Sequence, residues 1–400
     1  MATGEAAEHR GPAIIIGAGY AGLATALEVH RRSRGTIPVV VIDRHPVHVL
    51  RTELYEVGRL ASSKGRVDRW VVPLATALDK TGIDVRTGVV DGIDLDRAEV
   101  RLGPETIRYG ALALCLGNVP AYYNVPGASE HTDSVYHLTS AMRLAERLEE
   151  AASRSADLPG ERRLRIVIVG GGSTGTEVAA EIATTDWSKV TGRPARPFEV
   201  VLVTGALPFL AGLPGPLVDR ARRGLASAGV AMITGTNASR VEPGRLTLED
   251  GTVLPAERIV WCAGLTAPPL VAPLPTPHGK GGRLRVEPTL ELPGRPGVFG
   301  VGDVIEFTDP ATGLSVPGTA QAAIAEARVA GRNLVARWNG EPLEPFRYRE
   351  KGAVVALGRR GAAGAIRGVS VWGRPASLVK RLVEREYAHA VSRGTEPKTL

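Results

Sequence analysis

The chain has 400 residues, 44% of them hydrophobic and 23% charged, with a formal net charge of +7. Such a composition excludes a disordered or fibrous chain, and the length exceeds what one ordinary core holds, so two α/β-sized domains are expected. No apolar run approaches the ~20 residues of a spanning helix, and MATGEAAEHRGP has no apolar leader segment, so a cytoplasmic location is expected.

Ala13 to Ile16 reads as a short buried strand, followed by Gly17, Gly19 and Gly22 in GxGxxG and an alanine- and leucine-rich helix from Ala21 to His30. A second apolar strand ends at Asp43. This is the pattern of a dinucleotide cradle. The first glycine permits the sharp turn, the second lets a pyrophosphate approach the backbone, and the third lets helix pack on strand. The free N–H groups at the helix start then hold phosphate, while Asp43 is placed to bond a ribose diol.

After a mixed stretch come strand-like runs at Val85 to Val90 and Glu99 to Leu102, then an apolar strand from Ala111 to Leu116 that ends at Gly117. Asn118 to Glu130, with two prolines, reads as a connection. Thr139 or Ser140 is expected to cap a helix whose apolar positions Ala141, Leu144, Ala145, Leu148 and Ala152 recur at helical spacing.

The pattern then restarts. Ile166 to Val169 is a strand, Gly170, Gly172 and Gly175 form a second GxGxxG, and a helix begins near Ser173. Another strand, Glu199 to Val203, leads towards RIVWCAG, which ends at Gly264. From first glycine to terminal cysteine the two units span 98 and 92 residues. Two matching units imply two dinucleotides. The only cysteines, Cys115 and Cys262, each follow an apolar run and read as buried structural thiols, and no CxxC redox pair is present.

A proline- and glycine-rich stretch to Gly297 reads as a crossing back to the first domain. VFGVGDVIEF supplies a strand with Gly302 and Asp303 at its end, and Gln321 to Trp338 form a strong helix. From Phe346 to Leu400 there are 12 Lys plus Arg against 4 Glu, a net of +8 that leaves −1 for everything before it. Within that tail, Leu378, Val379, Leu382, Val383, Tyr387, Ala390 and Val391 recur at helical spacing, with Lys380, Arg381 and Arg385 between them. This basic amphipathic helix is suited to an anionic membrane surface, although the same stripe would also serve to pack on the body or on a second subunit in a homodimer.

Taken together, GAGYAG with Asp43, ALALCLG, VPGASEH, GGGSTGTE, VWCAG, VGD, AQAAIAE and YREKGAVVALGRRGAA resemble the two-dinucleotide-binding flavoprotein reductases, and within them the type II NADH:quinone oxidoreductases. The resemblance covers nearly the whole chain. It implies an α/β fold of two Rossmann-like domains, the FAD domain discontinuous: residues 1–118 and 266–345 for FAD, 119–265 for NAD(P)H, and 346–400 as a short basic C-terminal region.

It also implies site roles. Gly17, Gly19, Gly22, Asp43 and Gly117 belong to the FAD side, and Gly302 with Asp303 fixes the ribityl and phosphate portion. Gly170, Gly172 and Gly175 hold NAD(P)H, and Glu177 stands near the nicotinamide. Ala320 and Gln321 lie beside the flavin's pyrimidine end and form part of the quinone site, with Glu326 or water supplying protons. On the residues alone, Glu177 is also a first-turn glutamate favoured by the helix dipole, Gln321 a surface glutamine, Asp303 a turn residue and Tyr55 a packed aromatic.

Two features depart from the family pattern. Thr204 stands where an acid is usual, which leaves the choice between NADH and NADPH open; Arg193 and Arg196 are candidates to meet a 2′-phosphate, with a solvated loop the preferred reading of both. The tail is also shorter and poorer in Trp and Leu than usual. The implied activity is hydride transfer from NAD(P)H to FAD and two-electron reduction of a quinone, at a cell membrane's inner face if the tail binds there. Alternatives are a soluble reductase with another acceptor and a flavoprotein that senses NAD(P)H without turnover. Sulfide oxidation lacks the cysteines it needs, and neither a metal nor a nucleic-acid partner is expected.

Overall fold

The computed structural model describes residues 11–156, 163–193, 196–205, 209–359 and 361–395. The N-terminal ten residues, where no leader is expected, lie outside them. Two parallel sheets organise the chain.

The first sheet has six strands in the order Glu291–Leu292, Arg295–Gly300, Ala111–Leu114, Ala13–Ile16, Val39–Asp43 and Asp84–Thr87. Its inner strands pair in parallel, Ala13 opposite both Val39 and Ala111, and Val298 opposite Leu112. Residues almost 200 positions apart therefore share one sheet, as the discontinuous domain requires. Ile14, Ile15, Leu112 and Phe299 are fully buried, and each such side chain contributes roughly 1.5–3 kcal/mol by leaving water. Helix Ala320–Asn339 packs against helix Tyr20–Ser33 at Gly331, where a Cβ would come within 2.8 Å of Glu28.

The second sheet runs Val230–Thr234, Phe198–Thr204, Leu164–Val169 and Arg258–Trp261, parallel throughout. Its strands read as continuous apolar runs because both faces are covered. Ile166, Ile168, Val200 and Leu202 share a core with helices Leu138–Ala156 and Ser173–Thr184, while Val167, Val169, Val201 and Val203 pack with Val241, Leu246 and Trp261.

The sequence expectation needs three corrections here. The helix expected to be capped by Thr139 or Ser140 already starts at Leu138, so both hydroxyls lie in its first turn. The run Val85 to Val90 divides, Asp84–Thr87 joining the first sheet and Val90–Asp94 a separate three-stranded one. The tail contains more than a helix: strands Gly352–Ala356, Ala362–Ile366 and Val369–Trp372 form an antiparallel sheet before helix Gly373–Ser392.

That helix touches both domains. Tyr387 and Val391 enter the core of the first, and Val355, Ala356, Leu357 and Ala363 of the preceding sheet enter the core of the second. Among the described residues, no helix is long and apolar enough to cross a membrane.

Candidate functional site

The two cradles repeat each other bond for bond. Gly17 donates to Ile42 O at 2.8 Å and Gly170 to Val203 O at 2.8 Å; Cys115 donates to Ile16 O and Cys262 to Val169 O. Gly17 and Gly170 take φ of +99° and +115°, and a Cβ on Gly22 or Gly175 would lie 1.7 or 1.9 Å from the first glycine's carbonyl oxygen. These positions admit only glycine. By contrast, a Cβ on Gly19 or Gly172 would meet nothing within 4 Å. The protein leaves that space open in front of each helix start, where a pyrophosphate needs it.

At the first cradle, Asp43 Oδ2 accepts the Ala18 N–H at 2.7 Å and Oδ1 accepts the His45 N–H at 2.9 Å. The carboxylate therefore braces the glycine turn as well as ending the strand. Across the sheet edge, Arg51 donates to Asn118 Oδ1 at 2.8 Å, and Asn118 Nδ2 donates to Asp303 Oδ2 at 2.6 Å. This chain links three strand ends, and a Cβ on Gly117 would sit 2.9 Å from Arg51 Nη1. Arg51 brings a cation to this edge that no local sequence pattern marks, because its partner Asn118 lies 67 positions away.

Gly302, at φ +79°, fits between Ala21 and Ala323, and donates its N–H to Glu326 Oε2 at 2.7 Å. Glu326 is 3% exposed. Burial pushes its carboxyl up to about 8, the Gly302 N–H opposing and Asp303 adding to the rise. It thus braces the Gly302–Asp303 turn from within. Thr319 Oγ1 caps helix Ala320–Asn339 by accepting from Ala322 N at 3.2 Å, which leaves the first N–H groups, those of Ala320 and Gln321, without intrahelical acceptors. Gln321 Oε1 accepts from Tyr348 Oη at 3.4 Å.

At the second cradle, the equivalent of Asp43 is Thr204, 3% exposed. Its Oγ1 is buried and has no hydrogen-bond partner among the described residues, 2.6 Å from where a Cβ on Gly171 would stand. Arg193 and Arg196 precede strand Phe198–Thr204, whose far end is Thr204. Seven residues at about 3.3 Å each separate the arginines from the nucleotide edge by roughly 20 Å, so neither reaches a 2′-substituent there.

Glu177 lies in the second turn of helix Ser173–Thr184 and is 8% exposed. Its Oε1 accepts the Ala356 N–H at 2.9 Å and pairs with Lys380 Nζ at 3.1 Å; Lys380 also reaches Glu384 at 3.2 Å. Burial raises the Glu177 pKa against the pull of Lys380. Burial works against the Lys380 charge too, but Glu177 and Glu384 outweigh it and keep the ammonium protonated. Lys380 Nζ stands 5.2 Å from the centre of the Tyr55 ring, and Tyr55 is itself buried. Around this group, burial pushes Glu53 and Glu181 up to about 7 each. Lys380 is therefore part of an enclosed charge cluster, where the sequence reading had grouped it with Arg381 and Arg385 on an exposed basic face. Nothing in the periodicity separates the three, since a cluster partner 203 positions away leaves no local signal.

Both cysteines lie beneath the glycine turns, and burial holds them as thiols by pushing each up to about 12. Residues 12–327 match the family model of the pyridine nucleotide-disulphide oxidoreductases. Demethylphylloquinone reductase NdbB of Synechocystis is 30% identical over 380 residues, covering 92% of this chain and 90% of the relative. A type II NADH:quinone oxidoreductase of Staphylococcus aureus is 25% identical, covering 94% and 95%. Among solved structures, NDH2 from Plasmodium falciparum in complex with NADH aligns with a TM-score of 0.80 at 15% identity over 96% of each chain. The sulfide:quinone oxidoreductase of Aquifex aeolicus aligns with a TM-score of 0.79 at 18% identity, over 97% of this chain and 93% of that one. At such identities the structural matches speak for the fold alone.

Proposed function

Because the chain belongs to the pyridine nucleotide-disulphide oxidoreductase family, we propose that it is a FAD-dependent NAD(P)H dehydrogenase that reduces a quinone, the acceptor class named for its relatives. The observation that carries this reading is the pair of complete cradles, each open at its middle glycine, on two separate sheets. When bound, the flavin supplies the redox chemistry, taking hydride from the nicotinamide and passing two electrons to the quinone.

The chain's own residues do the rest. Gly17, Gly19 and Gly22 admit the FAD pyrophosphate; Asp43, Gly117, Gly302 and Asp303 hold the flanking turns. Arg51 adds a cation at the same edge. Gly170, Gly172 and Gly175 admit the nicotinamide dinucleotide. The free N–H groups at Ala320 and Gln321 steady negative charge on the flavin side, and Gln321 contacts the acceptor. Glu177, held by the Ala356 N–H and by Lys380 Nζ, orients the nicotinamide, and water or Glu326 supplies protons to the quinone. The domain limits expected from the sequence, 1–118 with 266–345 and 119–265, belong to the same reading.

The tail is proposed to lie on an anionic membrane. Val369, Trp372, Leu378 and Leu382 are 66%, 51%, 52% and 55% exposed, and Arg374, Arg381 and Arg385 are exposed on the same hairpin and helix. A second copy of the chain is the competing occupant of these side chains.

Anaerobic stopped-flow mixing tests the activity. Rapid flavin bleaching by NADH or NADPH, followed by reoxidation with a soluble quinone, is expected. A reduced flavin that quinone leaves unchanged would overturn the assignment and favour the nucleotide-sensing alternative.

A further inference from the structure

The C-terminal helix reaches the glycine turn of the first cradle through one buried histidine. His48 is fully buried. Its Nδ1 lies 2.8 Å from Ala18 O, and its Nε2 lies 3.1 Å from Tyr387 Oη. A carbonyl only accepts, so Nδ1 carries the proton; Nε2 is then the bare acceptor, and the Tyr387 hydroxyl donates to it. Burial lowers the His48 pKa to about 4, which keeps the ring neutral and this tautomer meaningful. The site is held on its other sides by Tyr20, whose ring meets His48 edge-on at 5.3 Å and Tyr387 at 4.8 Å, and whose hydroxyl is 2.8 Å from Thr52 Oγ1.

The atom that His48 grips matters. Ala18 C=O and Gly19 N–H belong to one planar trans peptide, so they point in opposite directions. Fixing the carbonyl towards His48 directs the Gly19 N–H away from it. On the preceding peptide, Asp43 Oδ2 holds the Ala18 N–H at 2.7 Å. The two clamps together fix the peptide planes on either side of Ala18, next to the open position at Gly19.

We propose that Tyr387 and His48 are positioning residues for flavin binding: the tail tyrosine anchors the His48 ring by donating to Nε2, and His48 sets the Ala18–Gly19 peptide for the FAD pyrophosphate. At the second cradle the equivalent carbonyl, that of Gly171, is held instead by a backbone donor, the Leu210 N–H at 3.2 Å. The proposal rests on the assignment of FAD to the first cradle.

A double-mutant cycle on FAD affinity tests it, with apoprotein titrated by FAD and followed by flavin fluorescence. Tyr387→Phe keeps the ring but removes the donor to Nε2, and should weaken FAD binding about fivefold, the scale of one lost hydrogen bond. Asn places a fixed N–H donor where His48 has Nδ1, so in the His48→Asn background Tyr387→Phe should cost nothing further. Equal losses in both backgrounds would make Tyr387 a packing residue only, and no loss in either would also overturn the proposal. If His48→Asn does not fold, selective 15N-histidine spectra of Tyr387→Phe replace the cycle. A shift of the His48 Nε2 resonance away from its hydrogen-bonded position is expected, and an unchanged spectrum refutes the anchoring role of Tyr387. Full FAD binding by Gly19→Val would instead show that the first cradle is not the flavin site, an outcome separate from both.

Discussion

Replacing Lys380 with Met removes the one ammonium that Glu177 and Glu384 both contact, at 3.1 and 3.2 Å, while leaving both carboxylates enclosed. The three side chains are 15%, 10% and 13% exposed, so solvent screens little of the loss. Breaking a buried pair by deleting one partner costs about 3–5 kcal/mol, much of it the penalty of the stranded charge. For a unit of 150–250 residues, ~3 kcal/mol lowers the melting temperature by roughly 6–12 °C. The stranded carboxylates can escape by taking up protons, which sets a sign. In the variant, Glu177 loses the cation that opposed its burial, so its folded pKa rises further above the unfolded value. The native state then binds more protons than the unfolded state, and stability falls as pH rises through that window. In the wild type, the raised Lys380 pKa keeps its contribution intact below the unfolded lysine value, so the lysine adds no pH dependence of its own between pH 5.5 and 8, and the slope from Glu53, Glu181 and Glu326 is present in both proteins. Melting curves of wild type, Lys380→Met and Lys380→Met/Glu177→Gln at both pH values measure this. The single variant should lose more at pH 8 than at pH 5.5, and the double variant should recover part of the loss at pH 8. A deficit independent of pH, or no recovery, would refute the enclosed charge cluster.

Gly19→Val should give a folded, colourless protein, because a side chain there meets no protein atom within 4 Å but fills the pyrophosphate's space; absorbance of the purified variant decides it. Gly172→Val should keep the yellow colour and lose flavin reduction by NAD(P)H in stopped flow. Thr204 offers no charge to the adenosine ribose, so NADH and NADPH dissociation constants should lie within about tenfold of each other, ~1.4 kcal/mol, and Thr204→Asp, imitating Asp43 at the other cradle, should favour NADH; a wild type that binds only one coenzyme would contradict this. Leu378→Glu/Leu382→Glu should reduce sedimentation with anionic vesicles while leaving the melting temperature unchanged, since both side chains are more than half exposed; unchanged sedimentation would return the tail to a purely internal role.

How much of this was legible in the sequence depended on the range of the signal. The cradles were readable because their constraints are local: a positive φ at Gly17 and Gly170, a close approach at Gly22 and Gly175, and a strand buried on both faces all fall within a few residues. The repeat made them readable twice, and the shared sheet of Ala111–Leu114 and Arg295–Gly300 followed from the strand at Val298 that the sequence already marked. Arg51, Asn118 and Asp303 were a different case. Each ends its own segment, and only the closing of the sheet brings them into one hydrogen-bonded chain. Glu326 was visible as a helix residue near a functional motif, but its direction, inward to Gly302, came from packing between two helices.

The tail shows why a correct period can still give an incomplete function. Its apolar stripe was read as a single face, yet the folded helix divides it between adjacent rows four residues apart. Val379, Val383, Tyr387 and Val391 form one row, the last two fully engaged with the first domain's core. Leu378 and Leu382 form the next and remain exposed. Beyond the row of Val379, Lys380 pairs with Glu384 and reaches Glu177 of the second domain. One helix therefore presents an apolar row to solvent while its other rows grip the helix of one cradle and, through His48, the turn of the other. Tyr387 and Lys380, on the same helix as Leu378 and Leu382, thus reach both cradles, although no tail residue belongs to either glycine motif.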